Sequence, residues 1–350
     1  MILQMLNKEV VVIDRTLPEI YAAKKMSRLD ILDFCWLLRQ VGVDIIEVDA
    51  RLMRSLGKLP EGLEFMLEAE SAEDLPICTK LKNRRCVLQQ QLLAQHEAVE
   101  YIRIHSLYAV LEVPADSLED LYGLDRLLSL PGLDVISCIR ITSLEKLDSH
   151  LWIETVELLK GILGKRIDIC PYHSLSMGNA ILLEAAANGM DYVTSTFMGH
   201  GGERGYASTE ILLTALKVFY GDTRNSDLKM LPQLRALFTK YSHVKVPANI
   251  PVIGRNIFMY EAGIHAGGIC SNPNTYEPYD PEIVGQKREL VIGKHSGRLS
   301  IVTKLAELGM DVEKTNLLQL LQRVRDLSVR MNRSLSDEEF VHVYSQSSMH

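Results

Sequence analysis

Basic excess is missing from this chain. Its 350 residues carry 38 Lys and Arg against 45 Asp and Glu, for a net charge of −7 and a pI of about 5.8. A surface that neutralises phosphates needs the opposite sign, so a nucleic-acid partner is not expected. Long apolar runs are missing too. No stretch reaches the ~18 residues a membrane span needs, and no membrane partner is expected. The opening MILQMLNKEV is interrupted by Asn7, Lys8 and Glu9 and does not read as a signal peptide. The six cysteines include no C-x-x-C pair, which speaks against a zinc ribbon and a thioredoxin-type site. Most sit in apolar contexts, as buried thiols do, and the reading is a reducing, cytoplasmic compartment without disulfides. No G-x-G-x-x-G follows the first strand-like run, which counts against a dinucleotide fold.

What is present is a rhythm. The first 220 or so residues alternate strand-like and helix-like segments. Strands are expected at Glu9 to Asp14, Val43 to Asp49, LPICTKL (75–81), Tyr101 to Ser106, Asp134 to Thr142, Arg166 to Tyr172 and Asp191 to Gly199. Helical patterns separate them. One starts at Ser27 with an S-x-x-D cap, puts Ile31, Phe34, Cys35 and Leu38 on one face and stops at Gly42. LWIETVELLKGIL and NAILLEAAANGM are two more. Apolar strands alternating with helices predict a parallel sheet buried on both faces, and seven or eight such units predict a TIM (β/α)8 barrel.

The texture changes near Lys245. A long segment rich in Gly, Pro and Asn follows, of the kind that forms lids and binding loops. Helices then return, with Leu317, Leu320, Leu321, Val324, Leu327 and Met331 at helical spacing, and Ser336 and Glu339 as a capping box. The expected division is a barrel over 1–245 and a smaller, mostly helical C-terminal lid subdomain over 246–350.

Active-site groups of a parallel barrel lie at the C-terminal ends of its strands. That rule selects Asp14, Glu47, His105, Tyr172, His173, Thr196 and His200. Asp and His together suit a divalent ion with open positions for substrate oxygens, while an acid at a strand end serves equally as a helix cap. In YEAGIHAGG, Glu261 precedes His265 by four residues, so that the carboxylate would orient an imidazole for acid–base work or form a structural ion pair. GKHSG (Gly293 to Gly297) reads as an anion-binding turn with Lys294, or as a plain tight turn.

Together these stretches resemble the family of homocitrate, isopropylmalate and citramalate synthases. The likeness covers most of the chain and is densest in VPANIPVIGRNIFMYEAGIHAGG, NPNTYEPYDPEIVG and LVIGKHSGR. The resemblance implies a TIM barrel, a divalent metal (Mg, Mn or Zn), acetyl-CoA as co-substrate and a 2-oxo acid as acceptor. It implies His265 and Tyr276 as catalytic residues of a lid, with Glu261 beside them, and Glu47 and Thr196 as substrate-binding residues.

Three signatures depart from the family. Its D-[TS]-T-L-R-D-G reads DRTLPEI here, which keeps Asp14 as the expected metal ligand but puts Pro18 at the Arg and Glu19 at the following Asp. Arg15 is expected to point elsewhere, from strand alternation. Its H-x-H falls on Cys170 and Tyr172 or, with a one-residue slip, on Pro171 and His173, so His173 is the other ligand that could survive. Its G-x-G-E-R-x-G-N ends in Tyr206 in place of Asn. The metal site is therefore incomplete.

Family members are dimers whose lids reach over the partner's barrel. The resemblance thus implies an oligomer, homo- or hetero-, with a catalytic homologue carrying the intact metal site. That pattern resembles the omega-type subunit of the two-gene homocitrate synthases of nitrogen-fixing bacteria. Two other readings are an enzyme rebuilt around Asp14, His173, His200 and Glu203 for another 2-oxo acid, and a regulatory pseudoenzyme that binds a metabolite.

Overall fold

The computed structural model describes residues 10–118, 121–144, 151–202, 204–221, 224, 226–262, 268, 272, 275–313 and 316–347. The chain divides into two compact units, Met1–Lys245 and Val246–His350.

The first unit is built on eight parallel strands. They are β1 (Val11–Asp14), β2 (Ile45–Asp49), β3 (Phe65–Ala69), β4 (Arg85–Leu88), β5 (Tyr108–Pro114), β6 (Ile136–Thr142), β7 (Arg166–Cys170) and β8 (Tyr192–Ser195). Each pairs with the next, and β8 pairs back onto β1, so the sheet closes as a TIM barrel. Helices cover it, among them Arg28–Val41, Leu151–Leu163 and Gly178–Ala187. Ser27 caps the first of these by accepting from the Asp30 N–H, and the helix ends at Gly42.

Side chains alternate across a strand, and a closed barrel turns one set inward. Ile13, Ile45, Met66, Val87, Val110, Cys138 and Tyr192 fill the middle of the barrel as one apolar cluster. The inward set begins, at the N-terminal end, with a polar floor. Arg85 and Arg166 donate to the Tyr192 hydroxyl at 3.2 and 2.9 Å, and the Arg85 guanidinium lies 4.8 Å from the centre of the Tyr108 ring. The interior is a packed core and not a pore.

Two expected strands are helices. Residues 75–81 hold the short helix Leu75–Cys78. Asp74 nucleates it: its carboxylate accepts from the N–H groups of Glu70 and Ser71 and from the Ser71 hydroxyl. Tyr101 to Ser106 forms the end of the helix His96–Ile104. Ala98 and Ile102, four residues apart, are buried, whereas Ile104 is 72% exposed. The alternating look of YIRI is a helical face seen edge-on. His105 consequently caps a helix on the N-terminal side of β5 and does not stand at a strand's C-terminal end; its ring lies 4.1 Å from that of Tyr101.

The second unit has its own core. Leu290, Ile292, Ile301, Leu305, Leu320, Val324, Phe340 and Val343 pack as one buried cluster. They come from the helices Arg298–Glu307, Leu317–Met331 and Asp337–Ser347 and from a two-stranded parallel sheet, β9 (Met259–Tyr260) with β10 (Glu289–Leu290). The last helix starts at the capping box read from the sequence. The Glu339 N–H donates to the Ser336 hydroxyl, and its carboxylate accepts from the Ser336 N–H at 2.8 Å. Among the described residues, no helix is long and apolar enough to cross a membrane.

Candidate functional site

Above the apolar layer of the barrel, toward the C-terminal ends of the strands, the inward positions turn ionic. Arg140 of β6 is fully buried, as are its partners Glu47 and Asp168. Its Nη1 meets Glu47 at 2.7 Å and its Nε meets Asp168 at 2.6 Å. Thr194 adds a hydroxyl donor to Asp168 at 2.8 Å. Taking these charges out of water is expensive, and short charge-assisted hydrogen bonds offset that penalty.

Arg15 stands in the same ionic region, one residue past β1. The expectation that it points elsewhere is wrong, and the reason is parity. Val11 and Ile13 belong with the barrel interior, so Arg15 follows them inward and Asp14 turns out. The Arg15 guanidinium lies 3.5 Å from Glu47, 3.6 Å from Glu68 and 3.4 Å from Glu112. It lies 4.0 Å from the Cys170 sulfur and 5.0 Å from the centre of the Tyr206 ring. Tyr206 in turn packs at 5.6 Å against Tyr172, and their backbones form an isolated bridge.

The electrostatics follow from this packing. Burial, reinforced by Glu47, pushes the Glu68 carboxyl up to about 7. Burial works against charge on Glu112 too, but Arg15 and Arg140 outweigh it and hold that carboxyl below its ordinary value. The Cys170 thiol, buried, is pushed up to about 12 despite the two arginines, so it is no thiolate.

Asp14 is fully buried on the helix-facing side of β1. Its carboxylate accepts from the Thr16 N–H at 2.9 Å and the Thr209 hydroxyl at 2.6 Å, which ties β1 to the helix Thr209–Tyr220. Neither its hydrogen bonds nor its electrostatic neighbours include His173. His173 caps a short turn after β7, and burial lowers its pKa; its Nδ1 is buried without a hydrogen-bond partner. His200 packs edge-on against Phe238 at 5.3 Å. Gly201, at φ 117°, makes room for Glu19: a Cβ there would lie 2.8 Å from the Glu19 carboxyl carbon. Glu203 lies outside the described residues.

The residues present do not fit a divalent metal. Of the positions at which the family resemblance puts metal ligands besides Asp14 and His173, Cys170 and Tyr206 lie against Arg15, whose guanidinium sits among the mouth carboxylates, and Tyr172 packs on Tyr206. Among the described residues no group of three His, Cys, Asp or Glu side chains is arranged to hold a metal ion. Glu47, expected to bind substrate, is committed to Arg140. Thr196 is fully buried at the end of β8, and its hydroxyl has no hydrogen-bond partner.

In the second unit, the Glu261 carboxylate faces the GKHSG turn. It accepts from the His295 N–H at 2.6 Å and from the Ser334 hydroxyl at 3.4 Å. Gly293 is required for this approach, since a Cβ there would lie 2.6 Å from Glu261 Oε1. The anion held by this turn is the chain's own carboxylate. His265 lies outside the described residues. Tyr276 is 44% exposed, and its ring lies against Gly268, where a Cβ would come within 2.2 Å of it.

The sequence reading passed over Glu68, Glu112, Arg140 and Asp168. The signal was there: each is a charged residue inside a short apolar strand (FMLEA, YAVLEVP, ISCIRIT, RIDIC), where a lone charge requires a partner.

Residues 252–332 match the family model described as homocitrate synthase post-HMGL domain-like. The chain is 31% identical over 343 residues to the homocitrate synthase omega subunit of Clostridium pasteurianum, covering 96% of this chain and 95% of that one. It is 29% identical over 276 residues to homocitrate synthase AksA of Methanocaldococcus jannaschii, covering 77% and 67% of the two chains. Among solved structures, HMG-CoA lyase of Bacillus subtilis shares the fold, with a TM-score of 0.53 at 13% identity over 70% of this chain and 97% of that one.

Proposed function

The chain belongs to the homocitrate synthase family, and on that footing we propose that it is a subunit of an acetyl-CoA-dependent acyltransferase whose own barrel does not turn over substrate. In this reading the enzyme joins acetyl-CoA to 2-oxoglutarate to give homocitrate. The C-terminal unit acts as a lid, and lends His265 and Tyr276 to a homologous partner that carries the metal site. His265 serves in proton transfer, Tyr276 supplies a hydroxyl donor, and Glu261 is a positioning residue that fixes the GKHSG turn. A reducing, cytoplasmic setting agrees with buried, unbridged Cys35, Cys78, Cys86, Cys138 and Cys170.

One observation carries the reading: Arg15 fills the barrel mouth among Glu47, Glu68 and Glu112. This region presents a 2-oxo diacid with carboxylates from four strands against Arg15 and Arg140. Both arginines are already paired, so neither is free to grip a substrate carboxylate.

The test is co-expression with a homologue that keeps D-x-T-L-R-D-G and H-x-H, following CoA release. His265→Ala in this chain should cut the rate by ~10²–10⁴-fold, the usual worth of a positioned acid–base group, with assembly intact. Glu68→Gln, in this chain's mouth, should leave the rate unchanged. Loss of activity in Glu68→Gln with His265→Ala unaffected would reverse the assignment. If neither matters and the chain alone binds a metabolite, it is a regulatory homologue.

A further inference from the structure

The two ends of the barrel treat their arginines differently. At the C-terminal mouth, Arg15 and Arg140 are matched by Glu47, Glu68, Glu112 and Asp168. At the N-terminal floor, Arg85 and Arg166 are the first residues of β4 and β7, and neither has a carboxylate within ion-pair distance among the described residues. What both reach is the Tyr192 hydroxyl, at 3.2 and 2.9 Å, and the Tyr108 hydroxyl donates to the same oxygen at 3.1 Å. A phenol oxygen offers two lone pairs, so three donors exceed what it can accept. Arg85 Nε is a further donor, buried without a hydrogen-bond partner. Burial, with the Tyr192 hydroxyl, raises the pKa of Tyr108, which keeps its proton and adds no negative charge. Asp191, the acid next to Tyr192 in the chain, is occupied by the Ile167 N–H and Lys160, both at 3.3 Å, and acts on Arg166 only at longer range. Among the described residues the floor thus holds two cations and a surplus of donors, and is short of acceptors and of negative charge.

We propose that the N-terminal floor of the barrel is an oxyanion site, with Arg85 and Arg166 as its cationic walls and a phosphate group as its occupant. A phosphate dianion matches the two guanidinium charges, and its oxygens accept forked N–H pairs from both at once. The arginines are placed for it beforehand. Arg85 lies over the rings of Tyr108 and Tyr192, at 4.8 and 5.6 Å from their centres. Because both arginines reach one oxygen, their ends stand within two hydrogen-bond lengths of each other. Access is open, since Arg166 is exposed and Arg85 half-buried. The site lies at the opposite end of the barrel from Arg15, and the inference does not rest on the chain's serving a partner.

The probe is inorganic phosphate, titrated by calorimetry near neutral pH in a low-salt buffer free of other oxyanions. One ion should bind per chain, and the melting temperature should rise with phosphate but not with chloride at equal ionic strength. Arg166→Met, at an exposed position, should fold and bind about tenfold more weakly or worse, the worth of a lost charge-assisted hydrogen bond. Arg85→Met should do the same, and the outcome at Arg166 decides should that variant fail to fold. Tyr192→Phe should bind at least as tightly as the unaltered protein, because the phenol no longer competes for the guanidinium donors. Arg54→Met, which removes an exposed charge outside the floor, should leave the affinity unchanged. Methyl phosphate separates the sources: equal binding supports the end group of a phosphomonoester as occupant, and binding of inorganic phosphate alone supports the free ion. Failure of millimolar phosphate to bind the unaltered protein would overturn the proposal. So would undiminished affinity in Arg166→Met, weaker binding by Tyr192→Phe, or an equal loss in Arg54→Met, which would mark diffuse attraction.

Discussion

Glu210 is the side chain at which pH should be felt. It is fully buried, one carboxylate oxygen accepts from the Met198 N–H at 2.9 Å, and the other has no partner. Burial pushes its carboxyl from 4.5 up to about 7; the Met198 N–H pulls the other way and the charge on Asp14 adds a little. The folded state therefore binds this proton more tightly than the unfolded chain. The stability it contributes is complete below pH 4.5 and is lost as pH rises through about 7. Glu210→Gln keeps an acceptor for Met198 and removes the titration. Urea denaturation at about pH 5 and about pH 8 should show the variant gaining on the unaltered protein at the higher pH; a difference independent of pH would reject the assignment. Single residues were also where sequence reading failed most sharply. Asp14 and Arg15 are neighbours, and naming the inward one requires the phase of a four-residue strand. Val11 and Ile13 decide the phase, and they carry Arg15 inward.

Among the elements, β1, β2 and the last three barrel strands were legible because each is a β-branched run bounded by turn or helix signals. β3, β4 and β5 were not. Two of them, β3 and β5, bear an inward acid that makes the run look half polar, which is the trace of the ionic layer itself. The layer gives β6 its clearest test. Arg140→Met removes the cation between Glu47 and Asp168 and leaves both carboxylates buried. Breaking a buried pair from one side costs about 3–5 kcal/mol, and that loss should appear in urea denaturation. If the variant is as stable as the parent, the layer is not what holds β2, β6 and β7 in register. In the second unit, GKHSG was read as either an anion-binding turn or a tight turn. It is both, because the anion is Glu261, and nothing in the spacing of residues 261 and 293 announces their contact.

For the whole chain, the barrel was legible from rhythm alone, and the family from the C-terminal segments. What stayed hidden was how the mouth is filled, since that depends on side chains from separate strands meeting. The two compact units each have a buried core, and the second packs aliphatic and aromatic side chains from three helices and a small sheet. A fragment of residues 246–350 should accordingly fold alone, with a helical circular dichroism spectrum and a cooperative melt; a featureless melt would make its core dependent on the barrel. The guanidinium at the barrel mouth also bears on how such a chain changes over generations. Restoring histidines at 170 and 172 would set imidazoles against Arg15 and its tyrosine neighbour, with no ion to gain. Removing Arg15 first would leave three carboxylates facing one another. Each single step toward a metal site passes through a worse protein, so divergence at this site acts as a ratchet, set by the order in which substitutions can be accepted.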